Sequence, residues 1–192
     1  MLRAGRESLT RGGLRRTPVE QLCRTAGISK GAFYLFFESK EQLLMELVRE
    51  TETELRAGLI ALAEAEPLPM PSTPRATGGL HAVLAFLFQS VGDHPLLLAL
   101  SDPEELAWLS RSLPPGHLDA ARADDDAFLL ALLVRLRSRG WIGDVADTTF
   151  AGLASAAFAL ATQRHTIGPD RYDAVVGLIV DGLVRALSPA AG

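Results

Sequence analysis

Residues 17–40 read TPVEQLCRTAGISKGAFYLFFESK, and no other part of the chain says as much about the fold. Thr17 is a favourable N-cap, and Pro18 suits the first helical position because no backbone N–H is needed there. Glu20 stands three residues after Thr17, which completes a capping box. A short helix is therefore predicted to begin at this point.

A tight turn and a second helix are predicted to follow. Gly27 can adopt the positive φ that ends the first helix. Ser29 is a suitable N-cap for a second short helix that runs from Lys30 to about Phe37, and residues 39–40 open the next one. Two short helices joined by a glycine-containing turn form a helix-turn-helix, whose second helix enters the major groove of DNA.

The run SKGAFYLFF at residues 29–37, followed by ESKEQLL at residues 38–44, resembles the recognition helix and the start of the fourth helix in tetracycline-repressor-like (TetR) regulators. The family pattern there is roughly Ser-Lys-Gly-x-Leu/Phe-Tyr-x-x-Phe, then x-Ser/Asn-Lys-x-x-Leu-Leu. The chain departs from it at Leu35 and Phe36, where many members have histidine or another polar residue. The resemblance implies a DNA-binding transcriptional regulator.

The predicted fold is all-α with about nine helices, because apolar residues recur at helical spacing along the chain and no segment has a strand pattern. A three-helix DNA-binding head is expected at residues 1–47, and a larger helical ligand-binding and dimerisation body at residues 48–192. The first helix looks weak because Gly5 lies within it. A proline-rich loop is predicted over residues 66–79.

The DNA contacts are predicted on the head. Side chains at helix N-termini can hold phosphates, and the resemblance implies that four residues of the recognition helix face the groove. Lys30 could donate to guanine, Ala32 could touch a thymine methyl group, and Tyr34 is expected on a phosphate. The full predicted set is Thr17, Ser29, Lys30, Gly31, Ala32, Tyr34 and Lys40.

Charge is distributed unevenly along the chain. Residues 1–40 hold eight basic and three acidic side chains, a net charge of +5, whereas the whole chain carries −4, so residues 41–192 carry −9. A basic head on an acidic body favours an encounter with double-stranded DNA at one end. The single cysteine, Cys23, excludes an intramolecular disulfide and is expected to be a small buried apolar residue.

The last two predicted helices are the candidate dimer surface. Residues 151–161 read AGLASAAFALA, and such small side chains let helices approach closely. Two helices from each subunit would form a four-helix interface with two-fold symmetry, as the resemblance implies. The predicted interface residues are Ala151, Ser155, Phe158, Val175, Ile179 and Leu183.

A small-molecule effector is expected in the body, where aromatic residues and a few polar ones lie among aliphatic neighbours. An apolar pocket with a few polar groups would suit a hydrophobic or aromatic ligand. The predicted ligand-binding residues are Phe86, Gln89, Trp108, Phe128, Phe158 and Arg164.

Enzymatic and metal-binding roles find no support in the sequence. The four histidines are scattered, without the spacing of a metal site or a nucleophilic triad, so no cofactor and no metal are predicted. The chain lacks an apolar run of 18 residues and a signal-peptide pattern, which predicts a cytoplasmic protein without a membrane partner.

The sequence thus predicts a homodimeric repressor that leaves a palindromic operator when a small molecule binds. Two alternatives stay open. One is a regulator that responds to no small molecule and acts as an activator or through a protein partner. The other is a helical small-molecule-binding protein whose head no longer reads DNA, which the weak first helix suggests.

Overall fold

The computed structural model describes residues 2–13, 15–65 and 75–189, and all regular structure within them is helical. The all-α prediction is confirmed. The described residues form eleven α-helices and a 3-10 turn at Val91–Asp93, more than the nine or so expected, partly because Gln163 separates a short helix from the one before it. The helices are α1 (Leu2–Gly12), α2 (Val19–Ala26), α3 (Lys30–Phe36), α4 (Lys40–Glu64), α5 (Arg75–Ser90), α6 (Pro95–Leu100), α7 (Pro103–Ser112), α8 (His117–Ser138), α9 (Asp147–Thr162), α10 (Arg164–Ile167) and α11 (Pro169–Leu187).

The chain packs into two compact units. The first unit comprises Met1–Glu54 and His94–Ala120, and the second comprises Leu55–Asp93 and Ala121–Gly192. The first therefore holds α1 to α3 and most of α4 together with α6 and α7. The domain boundary predicted between residues 47 and 48 stays a prediction.

In the first unit, α1 lies close against α4 because Gly5 has no side chain. A Cβ at Gly5 would lie 3.2 Å from Leu43 Cδ2 and 3.4 Å from Leu47 Cδ1, and both leucines are fully buried. Ser8, also buried, donates from its hydroxyl to Thr25 Oγ1 at 3.0 Å. The glycine that weakens α1 as an isolated helix is therefore what lets the helix pack.

The helix-turn-helix forms as the turn chemistry predicts, except at its first cap. Gly27 ends α2 with a φ of 69°, and the N–H of Ile28 donates to the Cys23 carbonyl at 3.0 Å. The predicted capping box is wrong, because Pro18 is the N-cap of α2 and no side chain caps that helix. The Thr17 hydroxyl instead donates to the Gly13 carbonyl at 2.7 Å.

The second unit is built around one apolar core to which α4, α5, α8, α9 and α11 contribute. Its buried members include Leu80, Leu84, Leu132, Leu133, Phe150, Val176 and Val180. Tyr172 is fully buried within this core and donates from its hydroxyl to the Phe88 carbonyl at 2.8 Å. Burial raises the pKa of the Tyr172 phenol, since the ionised form would lose its solvation.

The loop predicted over residues 66–79 is partly wrong. Residues 66–74 lie outside the described residues, but residues 75–79 form the start of α5. Gly79 serves as a contact surface there, because a Cβ at this position would overlap the indole ring of Trp141. The Arg139 guanidinium also packs on that ring, 4.6 Å from the ring centroid.

Candidate DNA-binding face and effector cavity

Helix α3 is anchored by one aromatic residue and presents the rest of its surface to solvent. Phe33 is 0% exposed, while Tyr34, Leu35 and Phe36 are 52%, 83% and 71% exposed. Ser29 caps the helix, since its hydroxyl oxygen accepts from the Ala32 N–H at 3.0 Å. Phe33 therefore anchors α3 in the core, and the helix exposes both polar and apolar side chains to a ligand as large as DNA.

Lys30 opens this face in an ion pair with Glu20 of α2. The hydrogen bond from Lys30 holds the pKa of the Glu20 carboxyl below its usual range, and the same bond raises the pKa of the Lys30 ammonium. Both groups are therefore charged at neutral pH. Because the pair is solvent-exposed, it is easily exchanged for a contact to a base or a phosphate.

Gly31 leaves the helix backbone bare beside Lys30. A Cβ built at Gly31 would meet nothing closer than the Ser29 hydroxyl oxygen, at 3.8 Å. The space around it is therefore open, and another molecule can approach the backbone closely there.

Lys40 and Thr17 are turned toward the protein. The Lys40 ammonium donates to the Arg15 carbonyl at 2.5 Å and to the Thr17 carbonyl at 3.2 Å, and it lies 4.9 Å from the ring centroid of Trp108. Partial burial lowers the pKa of Lys40. We call Arg15, Thr17, Lys40 and Trp108 the Lys40 cluster.

Two acidic residues of α7 form further hydrogen bonds with the Lys40 cluster. The backbone N–H of Arg15 donates to Glu105 at 3.0 Å, and its guanidinium donates to Glu104 at 3.1 Å. Sequence reasoning missed these two partners. They lie 90 and 89 residues away along the chain, and no local sequence pattern connects them with Arg15.

A half-open cavity of about 290 Å³ lies in the second unit. Its lining residues are Gln89, Asp93, Arg164, Tyr172 and Asp173. The Arg164 guanidinium lies 3.0 Å from Asp93 and 3.9 Å from Asp173, and 5.5 Å from the ring centroid of Tyr172. Two carboxylates against one guanidinium give the cavity a net negative charge, which disfavours an anionic ligand group.

Residues 1–47 match the sequence profile described as bacterial regulatory proteins, tetR family. Residues 1–47 therefore belong to the TetR family of bacterial regulatory proteins. A search among curated proteins found no match.

Solved structures of transcriptional regulators share the fold over nearly the whole chain. FadR from Bacillus subtilis in complex with stearoyl-CoA is 16% identical, with a TM-score of 0.65 over 100% of this chain and 97% of that one. SCO0520 from Streptomyces coelicolor is 23% identical, with a TM-score of 0.63 over 99% and 97%. The ketosteroid regulator KstR2 of Mycobacterium tuberculosis is 19% identical, with a TM-score of 0.62 over 98% and 93%.

The predicted ligand-binding residues are brought together only in part. Gln89 and Arg164 line the same cavity. Phe86 packs against Gly58, where a Cβ would lie 2.5 Å from the Phe86 ring, and Phe128 lies 5.2 Å from the Arg56 guanidinium. Phe158 is half-buried on α9.

Trp108 lies elsewhere. It belongs to the first unit, where it contacts Lys40, whereas the other five predicted residues belong to the second. Its assignment to an effector site stays a prediction, and its contact in this structure is with the Lys40 cluster.

The predicted dimer residues divide between exposed and packed positions. Ser155 and Val175 are exposed, and Ala151 and Phe158 are half-buried. Ile179 and Leu183 pack against the core of their own unit. The exposed faces of α9 and α11 also hold residues absent from the predicted set, namely Gly152, Gly177, Leu178 and Gly182.

Two absences hold for the part of the chain that the structure describes. No helix there is both long and apolar enough to cross a membrane. Nor do three potential metal-binding side chains come together among those residues.

Proposed function

We propose that this TetR-family chain is a repressor that binds a palindromic operator as a homodimer and leaves it when a small hydrophobic or aromatic molecule binds its helical body. The observation that carries the proposal is the exposed face of α3, held by the fully buried Phe33 within a domain that matches the family. Such a repressor needs three capacities, which are DNA contact, dimerisation and release.

The DNA contact is assigned to α3 and its cap. Lys30 exchanges its exposed pair with Glu20 for a guanine edge, and the bare backbone at Gly31 permits the close approach that this contact needs. Ala32 and Tyr34 complete the groove-facing set, with Ser29 at the start of the helix. Thr17 and Lys40 contribute indirectly, because the Lys40 ammonium holds the backbone carbonyls of Arg15 and Thr17 just before α2.

Dimerisation is assigned to the exposed faces of α9 and α11. Leu178 is 75% exposed and Val175 is 37% exposed, and between them a Cβ added at Gly177 would have no neighbour within 4 Å. A leucine flanked by glycine on an open helix face is a suitable centre for close helix packing. Two heads are also needed, because a single head offers few base contacts for a tight operator.

A charge at Leu178 tests this interface. We expect Leu178→Lys to convert the dimer to a monomer in sedimentation and to weaken operator binding, since a buried unpaired ammonium is costly. Leu130→Lys is the matched control, because Leu130 is also an exposed leucine, 46% accessible, but lies on α8. Dissociation caused only by the control would move the interface to α8.

Release is assigned to the second unit, to which Gln89 and Arg164 contribute the polar end of a site. Regulators of the same fold bear on the ligand class, since one was solved with stearoyl-CoA and another is a ketosteroid regulator. The net negative charge beside Arg164 favours a hydrophobic molecule with an uncharged polar end, such as a hydroxyl or carbonyl group. Such a ligand shifts the equilibrium only if it binds the DNA-free conformation more tightly.

A release assay separates these ligand classes. Operator-bound protein is challenged with stearoyl-CoA, stearic acid and a 3-ketosteroid, and we expect the steroid to be the most effective. Arg164→Gln should raise the concentration needed for release. Arg171→Gln, at an exposed position of α11, should leave it unchanged. Release by every anionic compound and not by the steroid would contradict the charge argument.

The first test of the whole proposal is a titration against the DNA immediately upstream of the chain's own gene, at two salt concentrations. Tight binding to a palindromic site, weakening steeply with salt, supports the repressor. Specific binding that no compound releases favours the regulator without a small-molecule effector. Binding indifferent to sequence favours the ligand-binding protein with an inactive head, although the close packing at Gly5 supports an ordered head.

A further inference from the structure

Leu35 is the most exposed large apolar residue of the described chain, at 83%. Its neighbour Phe36 is 71% exposed, so α3 ends in an apolar surface. Solvent exposure of such side chains costs free energy that folding within the unit does not recover. The patch is therefore a candidate contact surface for a partner.

The geometry of α3 determines where Leu35 points. Leu35 follows the buried Phe33 by two residues, roughly 200° around the helix, so it faces away from the core. It follows Gly31 by four residues, so the two share one face. Leu35 thus projects from the same exposed face of α3 as Gly31, near the end of the helix.

The charge around this face identifies the kind of partner. Residues 1–40 carry a net charge of +5, and Lys30 opens the helix on which Leu35 lies. A positively charged head with an exposed apolar group on α3 complements a phosphate-lined groove with apolar groups on its floor. In the major groove of DNA, the apolar group on a base edge is the C5-methyl of thymine.

We infer that Leu35 is a specificity-determining residue that packs on a thymine C5-methyl group in each half-site of the operator. This inference rests on the proposed function, because it requires α3 to enter the major groove. Where a polar side chain would bind phosphate irrespective of sequence, Leu35 reads a base. The operator therefore has a thymine at a fixed position facing the end of α3.

The test removes the methyl group and the leucine separately. The best-bound site is recovered by selection from a pool of randomised duplexes, and each thymine is replaced in turn by uracil, which lacks only the methyl group. We expect one position per half-site where the wild-type protein loses about fourfold in affinity, the value of one buried methyl group. Leu35→Ala should bind the thymine site about as weakly as wild type binds the uracil site, and should not distinguish the two.

Controls keep the result interpretable. Leu35→Ala removes no core contact, so its thermal unfolding should match wild type. Leu35→Met retains an apolar side chain and should keep the thymine preference. Phe36→Ala, an exposed change at the next position, should leave that preference intact.

Three results would overturn the inference. Specific binding without sensitivity to uracil means that no methyl group is read. Equal loss in wild type and Leu35→Ala assigns the methyl group to another residue, such as Ala32. A change in oligomeric state without a change in base preference makes the patch a protein interface. Failure of selection to yield any preferred sequence would instead reject the proposed function, and this inference with it.

Discussion

Replacing Lys40 by methionine tests whether this residue binds DNA phosphate, as its sequence position predicts, or holds the head together, as its contacts indicate. Methionine keeps an unbranched apolar chain against Trp108 but removes the ammonium group. The variant loses the hydrogen bonds to the Arg15 and Thr17 carbonyls, at 2.5 and 3.2 Å, and the cation–π contact with the Trp108 ring, at 4.9 Å from the ring centroid.

The expected cost follows from these three contacts. A hydrogen bond from a charged donor contributes about 1.5–3 kcal/mol when buried, and we take about 0.7 kcal/mol for each here because Lys40 is only half-buried. The cation–π contact adds about 0.5–1 kcal/mol. The sum is about 2 kcal/mol, or a fall of about 4–8 °C in the melting temperature of a chain of this size.

Two measurements on one protein separate the roles. Thermal unfolding reports the structural contribution, and the slope of operator affinity against salt concentration reports phosphate contacts, at about 0.9 for each contact. We expect Lys40→Met to melt earlier with its salt slope unchanged. Lys30→Met, at the only other lysine of the chain, should melt as wild type does, because the ion pair of Lys30 with Glu20 is exposed. It should lose base preference, because the ammonium that would contact guanine is gone.

The opposite pattern would refute this reasoning. If Lys40→Met melts as wild type does and its salt slope falls by about 0.9 for each head, Lys40 contacts phosphate. The contacts to Arg15 and Thr17 would then be incidental.

Three further predictions concern packing and pH. Gly31→Ala should stabilise the fold by about 0.5–1 kcal/mol, since nothing lies within 3.8 Å of the new Cβ, yet weaken operator binding; unfolding and titration check the two effects separately. Gly79→Ala should destabilise the fold by about 1–3 kcal/mol, measured by urea unfolding, because its Cβ would overlap the Trp141 ring. Tyr172→Phe should cost about 1 kcal/mol below pH 10 through loss of the hydrogen bond to Phe88. Because the Tyr172 pKa is raised on folding, wild-type stability should fall as pH rises above about 10, and an unfolding series across that range should show less of this fall in the variant.

The DNA-binding head could be predicted in outline because its signals are local. The glycine that ends α2 and the serine that caps α3 act on atoms within five residues, and both appear in the structure as the sequence predicts. Thr17 shows the limit of such reasoning. Its side chain fits the capping pattern of the helix that follows, but its hydroxyl donates to the carbonyl of Gly13, which precedes it in the chain.

The effector site could be predicted less well, because aromatic residues at helical spacing do not reveal which helices meet. Gln89 and Arg164 line one cavity although 75 residues separate them, while Trp108 contacts Lys40. Asp93 and Asp173, which determine the charge of that cavity, were absent from the predicted set. Their importance depends entirely on their distance from Arg164.

The sequence by itself determined the all-α class and the helix-turn-helix, because helix caps, glycine turns and apolar spacing act within a few residues. Only the tertiary structure decided that Lys40 donates to the Arg15 carbonyl, that other side chains pack closely on Gly5 and Gly79, and that Leu35 stays exposed. The physical reason is that an ammonium, a missing Cβ or an exposed leucine acquires its role from the atoms around it. Those atoms come from segments tens of residues away, which only the folded chain brings together.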